Sequence, residues 1–198
     1  SFHHPHPVTI LQDLIRYDTT NPPGLVADGI AYLQGLLADA GIASQILAGD
    51  KDRPNLVARL PGTGRSDPLL LFGHIDAVSA QNQTWRHPPF AGTVSDGFVW
   101  GRGALDMKGG IAMMVSALLR ARQMEPPPGD VLFVVVCDEE TGGEFGARYL
   151  VEEHRQLFDG VRYAIGEFGG FSMQIGRRRL YPIMVAEKQL CWLKATLR

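Results

Sequence analysis

One run limits the fold of this chain more than any other: Val131-Leu132-Phe133-Val134-Val135-Val136-Cys137. Every position is apolar, so an extended strand here is hydrophobic on both faces and has to be covered by helices on both sides. The run follows Pro126-Pro127-Pro128-Gly129, which ends a helix whose apolar positions Ile111, Met114, Val115, Leu118 and Leu119 recur at helical spacing. A central strand preceded by an amphipathic helix points to an α/β sandwich. The run is also far shorter than the roughly 18 residues a membrane span needs, so no transmembrane helix is expected.

The rest of the chain repeats the alternation. Val8, Ile10, Leu11, Leu14 and Ile15 mark a first helix that Asn21-Pro22-Pro23-Gly24 breaks, and Val26–Ala40 reads as a second, with Gly41 where a left-handed cap wants glycine. Short strands follow at Ala43–Leu47, Leu56–Leu60 and Leu69–Phe72, then a helix at Glu144–His154 and a strand at Arg162–Ile165. Beyond Phe171 the pattern is strand-like without helices, and from Leu190 apolar and polar residues alternate to the last residue. Charge excludes one class of partner, because 19 basic against 21 acidic residues leave a net −2 and no basic surface for nucleic acid. Cys137 and Cys191 make no disulfide framework, and the start of the chain lacks the cationic and apolar regions of a signal peptide, so a cytoplasmic location is expected. His3, His4 and His6 read as an unstructured terminus and Cys137 as an inert core residue, while Arg177–Arg179 read as a solvated loop.

Acids and a histidine gather where strands end, which is where open α/β sheets present a crevice. In Gly73-His74-Ile75-Asp76 an extended backbone turns His74 and Asp76 to one side, so the carboxylate can orient the imidazole and leave its other nitrogen for a metal. A plain structural hydrogen bond is the alternative. Asp106 lies in the glycine-rich run Gly101–Gly110 directly before the long helix. Phosphate-loop spacing is absent there, which leaves a cation ligand or a helix cap. Asp138-Glu139-Glu140 ends the most apolar strand, and adjacent carboxylates are costly there unless a cation or open solvent relieves them. Glu167 follows the strand at 162–165 and precedes Gly169-Gly170. Nitrogen and oxygen ligands at four successive strand ends favour a shared metal centre over four separate accidents.

These motifs, in their order and spacing and with the flanking Trp85-Arg86-His87-Pro88-Pro89-Phe90, closely resemble the di-zinc amidohydrolase family of aminoacylase, acetylornithine deacetylase, succinyl-diaminopimelate desuccinylase and carboxypeptidase G. The resemblance implies a zinc-exopeptidase-like three-layer sandwich with a mixed, mostly parallel sheet flanked by helices. It implies two Zn2+ ions, with Co2+ or Mn2+ as substitutes: His74 on one, Asp106 bridging both, Glu167 completing the first and Glu140 holding the second. Glu139 is similar to the general base that activates a zinc-bound water, Asp76 to the residue that orients His74, and the Asp106–Met107 peptide is implied to be cis.

The implied reaction is hydrolysis of an amide bond in an N-acyl amino acid or short peptide. The alternatives are a catalytically silent binding or structural module of the same fold, or a hydrolase with a single metal. The family draws a further histidine ligand and a lid histidine from downstream, whereas no histidine follows Glu167 here and Gln189 stands where glycine is usual. Residues 1–185 are therefore expected to be the N-terminal portion of a truncated catalytic domain, inactive alone. Residues 186–198 are expected to be the junction or first strand of the lid, through which the parent protein would form a homodimer.

Overall fold

The computed structural model describes residues 4–168, 172–186 and 195–196. The chain divides into two compact units, Ser1–Glu167 and Phe168–Arg198. In the first, helices α1 (Pro7–Arg16) and α2 (Ala27–Asp39) lead to strands β1 (Ser44–Leu47), β2 (Asn55–Leu60) and β3 (Leu69–His74). A hairpin of β4 (Thr93–Ser95) and β5 (Phe98–Trp100) precedes helix α3 (Lys108–Ala121). Strand β6 (Val131–Val136), helix α4 (Tyr149–Glu153) and strand β7 (Tyr163–Ile165) follow.

The sheet runs in the order β1-β2-β6-β3-β7, with β6 at its centre. β6 pairs antiparallel with β2 and parallel with β3, β3 pairs parallel with β7, and β1 pairs antiparallel with β2. Four strands thus share one direction and β2 alone opposes them, the mixed and mostly parallel sheet expected above. Phe133, Val135 and Cys137 point into a core with Ile10 and Leu14 of α1, Ile30, Leu33 and Leu37 of α2, and Ile111, Val115 and Leu119 of α3. Leu132, Val134 and Val136 point the other way, onto Tyr149, Leu150, Leu157 and Phe158. An all-apolar β6 is needed because helices cover both of its faces.

Local signals explain the boundaries. α2 ends where Gly41 takes φ +66°, with Ile42 N–H on Leu37 O at 2.9 Å and Gly41 N–H on Ala38 O at 2.9 Å, the paired bonds of a Schellman cap. His6, expected in an unstructured terminus, instead caps α1, its Nδ1 accepting Val8 N–H at 3.3 Å. The helix expected over 144–154 is broken into one π-helical turn (Glu144–Arg148) and α4, and a 3-10 turn (Arg155–Phe158) follows it. The cause is the entry: Gly142 and Gly143 are both left-handed, Asp138 takes the Phe145 N–H at 2.8 Å, and Arg148 N–H reaches back to Gly143 O at 2.9 Å.

In the second unit β8 (Met173–Ile175) and β9 (Arg178–Leu180) form an antiparallel hairpin, matching the strand-like pattern beyond Phe171. The strand expected from Leu190 and the junction at Glu187–Gln189 lie outside the described residues, apart from 195–196. Among the described residues no helix is long and apolar enough to cross a membrane.

Candidate metal centre

β6, β3 and β7 are consecutive parallel neighbours, so their carboxyl ends open on the same edge of the sheet. That topology gathers residues far apart in sequence. His74 closes β3, and its ring is 1% exposed while the Asp76 side chain is fully buried. His74 Nδ1 lies 3.2 Å from Asp76 Oδ1 and 3.1 Å from the Asp76 carbonyl oxygen, and Nε2 lies 2.9 Å from Asp106 Oδ1. Burial alone would pull the imidazole down. The Asp76 hydrogen bond and the charges of Asp76, Glu139 and Asp106 outweigh it and push His74 up to about 9.

Asp106 sits on the turn before α3, half exposed, and its peptide to Met107 is cis as the resemblance implied. Glu139 and Glu140 ride on a 3-10 turn (Glu139–Thr141) just past β6, and Glu167 comes two residues after β7. Glu139 Oε2 is 3.8 Å and Glu167 Oε2 3.7 Å from His74 Nε2. Two ligand groups result, His74–Asp106–Glu167 and His74–Glu139–Glu140, each with its donor atoms within 4.8 Å of one another. Burial, then the Asp106 charge, raises the carboxyls of Glu140 and Glu167 above the ordinary glutamate range. An imidazole beside converging carboxylates suits a divalent cation. All six residues predicted for the site are thus brought to one place.

The third acid of the strand-end cluster is not part of it. Asp138 is buried and turned away, holding the Phe145 N–H. Cys137 is buried too, and desolvation, then the charges of Asp138 and Asp76, push its thiol far up, in keeping with an inert core residue. Arg177–Arg179 are exposed on the β8–β9 hairpin, and His87 packs on Trp100 with ring centroids 5.2 Å apart.

Sequence reasoning missed two residues around the centre. Asn21, read only as a helix breaker, donates through Nδ2 to Asp76 Oδ2 at 2.9 Å and to Thr141 Oγ1 at 2.8 Å. Lys108, next to the bridging candidate's turn, is fully buried and donates to the carbonyls of Leu14 in α1 and of Tyr17 just past it. The partners of Asn21 lie 55 and 120 positions away, and no local pattern announces them.

Comparison with known proteins agrees with this geometry. The model of peptidase family M20/M25/M40 matches residues 70–178, more than half of the chain. The succinyl-diaminopimelate desuccinylase of Methylobacterium sp. (strain 4-46) is 41% identical over 143 residues, 69% of this chain and 35% of that protein. Among solved structures, an M20 family metallo-carboxypeptidase from Sulfolobus solfataricus superposes with a TM-score of 0.70 at 19% identity, over 82% of this chain and 37% of the other. A dinuclear metal binding peptidase of the M20 family from Bacillus subtilis gives a TM-score of 0.56 at 21% identity, over 81% and 41% of the two chains. The present chain spans less than half the length of the curated relatives it matches, such as 35% and 47% in two cases. With the matched residues carrying the strand-end motifs and the fold shared by both structures, the chain belongs to peptidase family M20/M25/M40.

Proposed function

We propose that the protein is a two-zinc hydrolase that cleaves an amide bond in an N-acyl amino acid or short peptide. The observation that carries this reading is the convergence of four carboxylates, those of Asp106, Glu139, Glu140 and Glu167, around the one imidazole of His74. The name of the desuccinylase relative and the dinuclear metal of the Bacillus subtilis neighbour support it.

In this reading His74, Asp106 and Glu167 would hold one ion, and Glu140 together with Asp106 would hold a second. Zinc when bound polarises the amide carbonyl and acidifies the attacking water. Glu139, half exposed beside the two groups, takes the proton from that water as the new C–O bond forms. It then delivers the proton to the amine nitrogen as the C–N bond breaks. Asp76 accepts from His74 Nδ1 and so leaves Nε2 facing the ion. Residues 1–185 form the N-terminal portion of the catalytic domain, and 186–198 lead to a lid through which a cytoplasmic protein dimerises. With a single histidine in the centre, the 198 residues alone are proposed to be inactive.

Zinc content per chain after dialysis, for the wild type and His74→Ala, tests the reading. Near two zinc ions in the wild type, lost in the variant, supports it; a single ion favours the one-metal hydrolase, and a wild type that retains no zinc counts against both.

A further inference from the structure

The connector between α1 and α2 precedes the family-matched segment, yet it touches all of the turns that bear the candidate ligands except the one after β7. Leu14 O and Tyr17 O accept Lys108 Nζ at 3.0 and 2.7 Å. Thr19 Oγ1 donates to Ile75 O at 2.7 Å, Ala77 N–H donates to Thr19 O at 3.1 Å and Asn21 N–H to Ala77 O at 2.9 Å. The connector thereby runs parallel to the residues that continue β3, with Thr20 bridged to Ala77. At its end stands Asn21, 5% exposed.

The Asn21 amide completes the environment of the Asp76 carboxylate. Asp76 Oδ1 accepts His74 Nδ1 at 3.2 Å and Glu139 N–H at 3.1 Å, while Oδ2 accepts Glu140 N–H at 3.1 Å and Asn21 Nδ2 at 2.9 Å. One carboxylate therefore holds both the imidazole and the backbone of the Glu139–Glu140 turn. Asn21 adds a second hold on that turn through Thr141 Oγ1, whose own proton is directed at Asp138 O, 3.4 Å away. The amide orientation follows from chemistry, since a carboxylate can only accept and must face the amino group. Asn21 Oδ1 is buried with no hydrogen-bond partner among the described residues, so the donor half of the side chain is the half in use.

We propose that Asn21 is a positioning residue: by tying Asp76 to Thr141 it sets the Glu139–Glu140 turn against His74, and so fixes the geometry of the second ligand group. The turn's placement follows from hydrogen bonds alone, and only the metal readout below rests on the two-zinc reading.

The test uses the 198-residue chain without metal and follows amide hydrogen exchange at Glu139 and Glu140 by NMR, with zinc affinity measured separately by chelator competition. Loss of a hydrogen bond to a charged group predicts exchange at both amides about tenfold faster or more in Asn21→Ala, with Val134 and Val135 of β6 unchanged. Zinc affinity should fall about 10- to 100-fold. Thr141→Val should move both readouts the same way and Thr141→Ser should restore them. Unchanged exchange at Glu139 and Glu140 overturns the proposal, and so does an equal acceleration in β6, which would mark a general loss of stability. If Asn21→Ala does not fold, the Thr141 pair decides by the same criteria. If the wild type binds no zinc, the two-zinc reading fails while the exchange result still decides the role of Asn21.

Discussion

The ammonium of Lys108 lies 2.7 Å from the carbonyl oxygen of Tyr17, buried at the C-terminal end of α1. The cation meets the negative end of that helix, and it ties the turn bearing Asp106 to α1 from the far side. Burial pulls the Lys108 amine down to about 8, against the opposing charges of Asp18 and Asp76. Lys108→Met keeps most of the volume but leaves the Tyr17 carbonyl without its donor, while Leu14 O keeps only the Tyr17 N–H at 3.3 Å. Urea unfolding should show a loss of about 2–4 kcal/mol. A loss below about 1 kcal/mol would mean that water takes over the ammonium's bonds.

The glycines of the Gly101–Gly110 run have a packing reason that can be tested against a control. A Cβ at Gly109 would sit 2.4 Å from Ala104 O, a backbone atom that cannot move aside without shifting the Asp106 turn. Gly109→Ala should therefore destabilise by about 1–3 kcal/mol and weaken zinc binding. Gly35 in α2 has nothing within 4 Å of the same position. Gly35→Ala should leave zinc binding alone and stabilise by up to about 1 kcal/mol, through helix propensity. Equal effects of the two substitutions would contradict the close-approach argument.

The stability that His74, Glu140 and Glu167 contribute to the metal-free chain should fall as pH rises. His74 is raised from 6.5 to about 9, so its contribution is complete below its ordinary value and is lost as pH climbs through about 9. Glu140 and Glu167 are raised as well, so they also lose stability as pH climbs from the ordinary glutamate range. Bound zinc would reverse all three, and at low pH it would first have to displace the His74 proton. The zinc-induced rise in melting temperature should be larger at about pH 9 than at about pH 6. A rise that is independent of pH would remove His74 from the ligand set.

Glu139→Gln tests the proton-transfer role apart from the metal. Zinc content should stay at the wild-type level, because Glu139 is assigned no ion. Turnover of N-acyl amino acids by the longer protein should drop about 100- to 10,000-fold. Undiminished turnover would pass the role of base to another group.

Much of the centre was legible one residue at a time. His74, Asp76, Asp106, Glu139, Glu140 and Glu167 each follow a strand or precede a helix, and each falls in the place its pattern indicated. The β4–β5 hairpin went unread, because Thr93–Ser95 and Phe98–Trp100 are too short for an alternation to stand out. The helix over 144–154 was read as continuous, since its apolar positions are periodic. Its broken start depends on the buried Asp138 carboxylate taking the Phe145 N–H, a bond that hydrophobic spacing does not encode.

What the amino-acid order determined by itself is the set of elements and the end of each at which polar chemistry sits. An all-apolar β6, capped and interrupted helices and glycine-bounded acids are local features, governed by backbone preference and by which faces can be wetted. Tertiary structure decided which of these ends meet. Only the strand order β6-β3-β7 places Glu139, His74 and Glu167 side by side, and only folding brings Asn21 to Asp76 and Lys108 to Tyr17. Those bonds form between buried polar groups whose partners must be found within the protein once water is excluded, and the search for a partner ranges over the whole chain rather than along it.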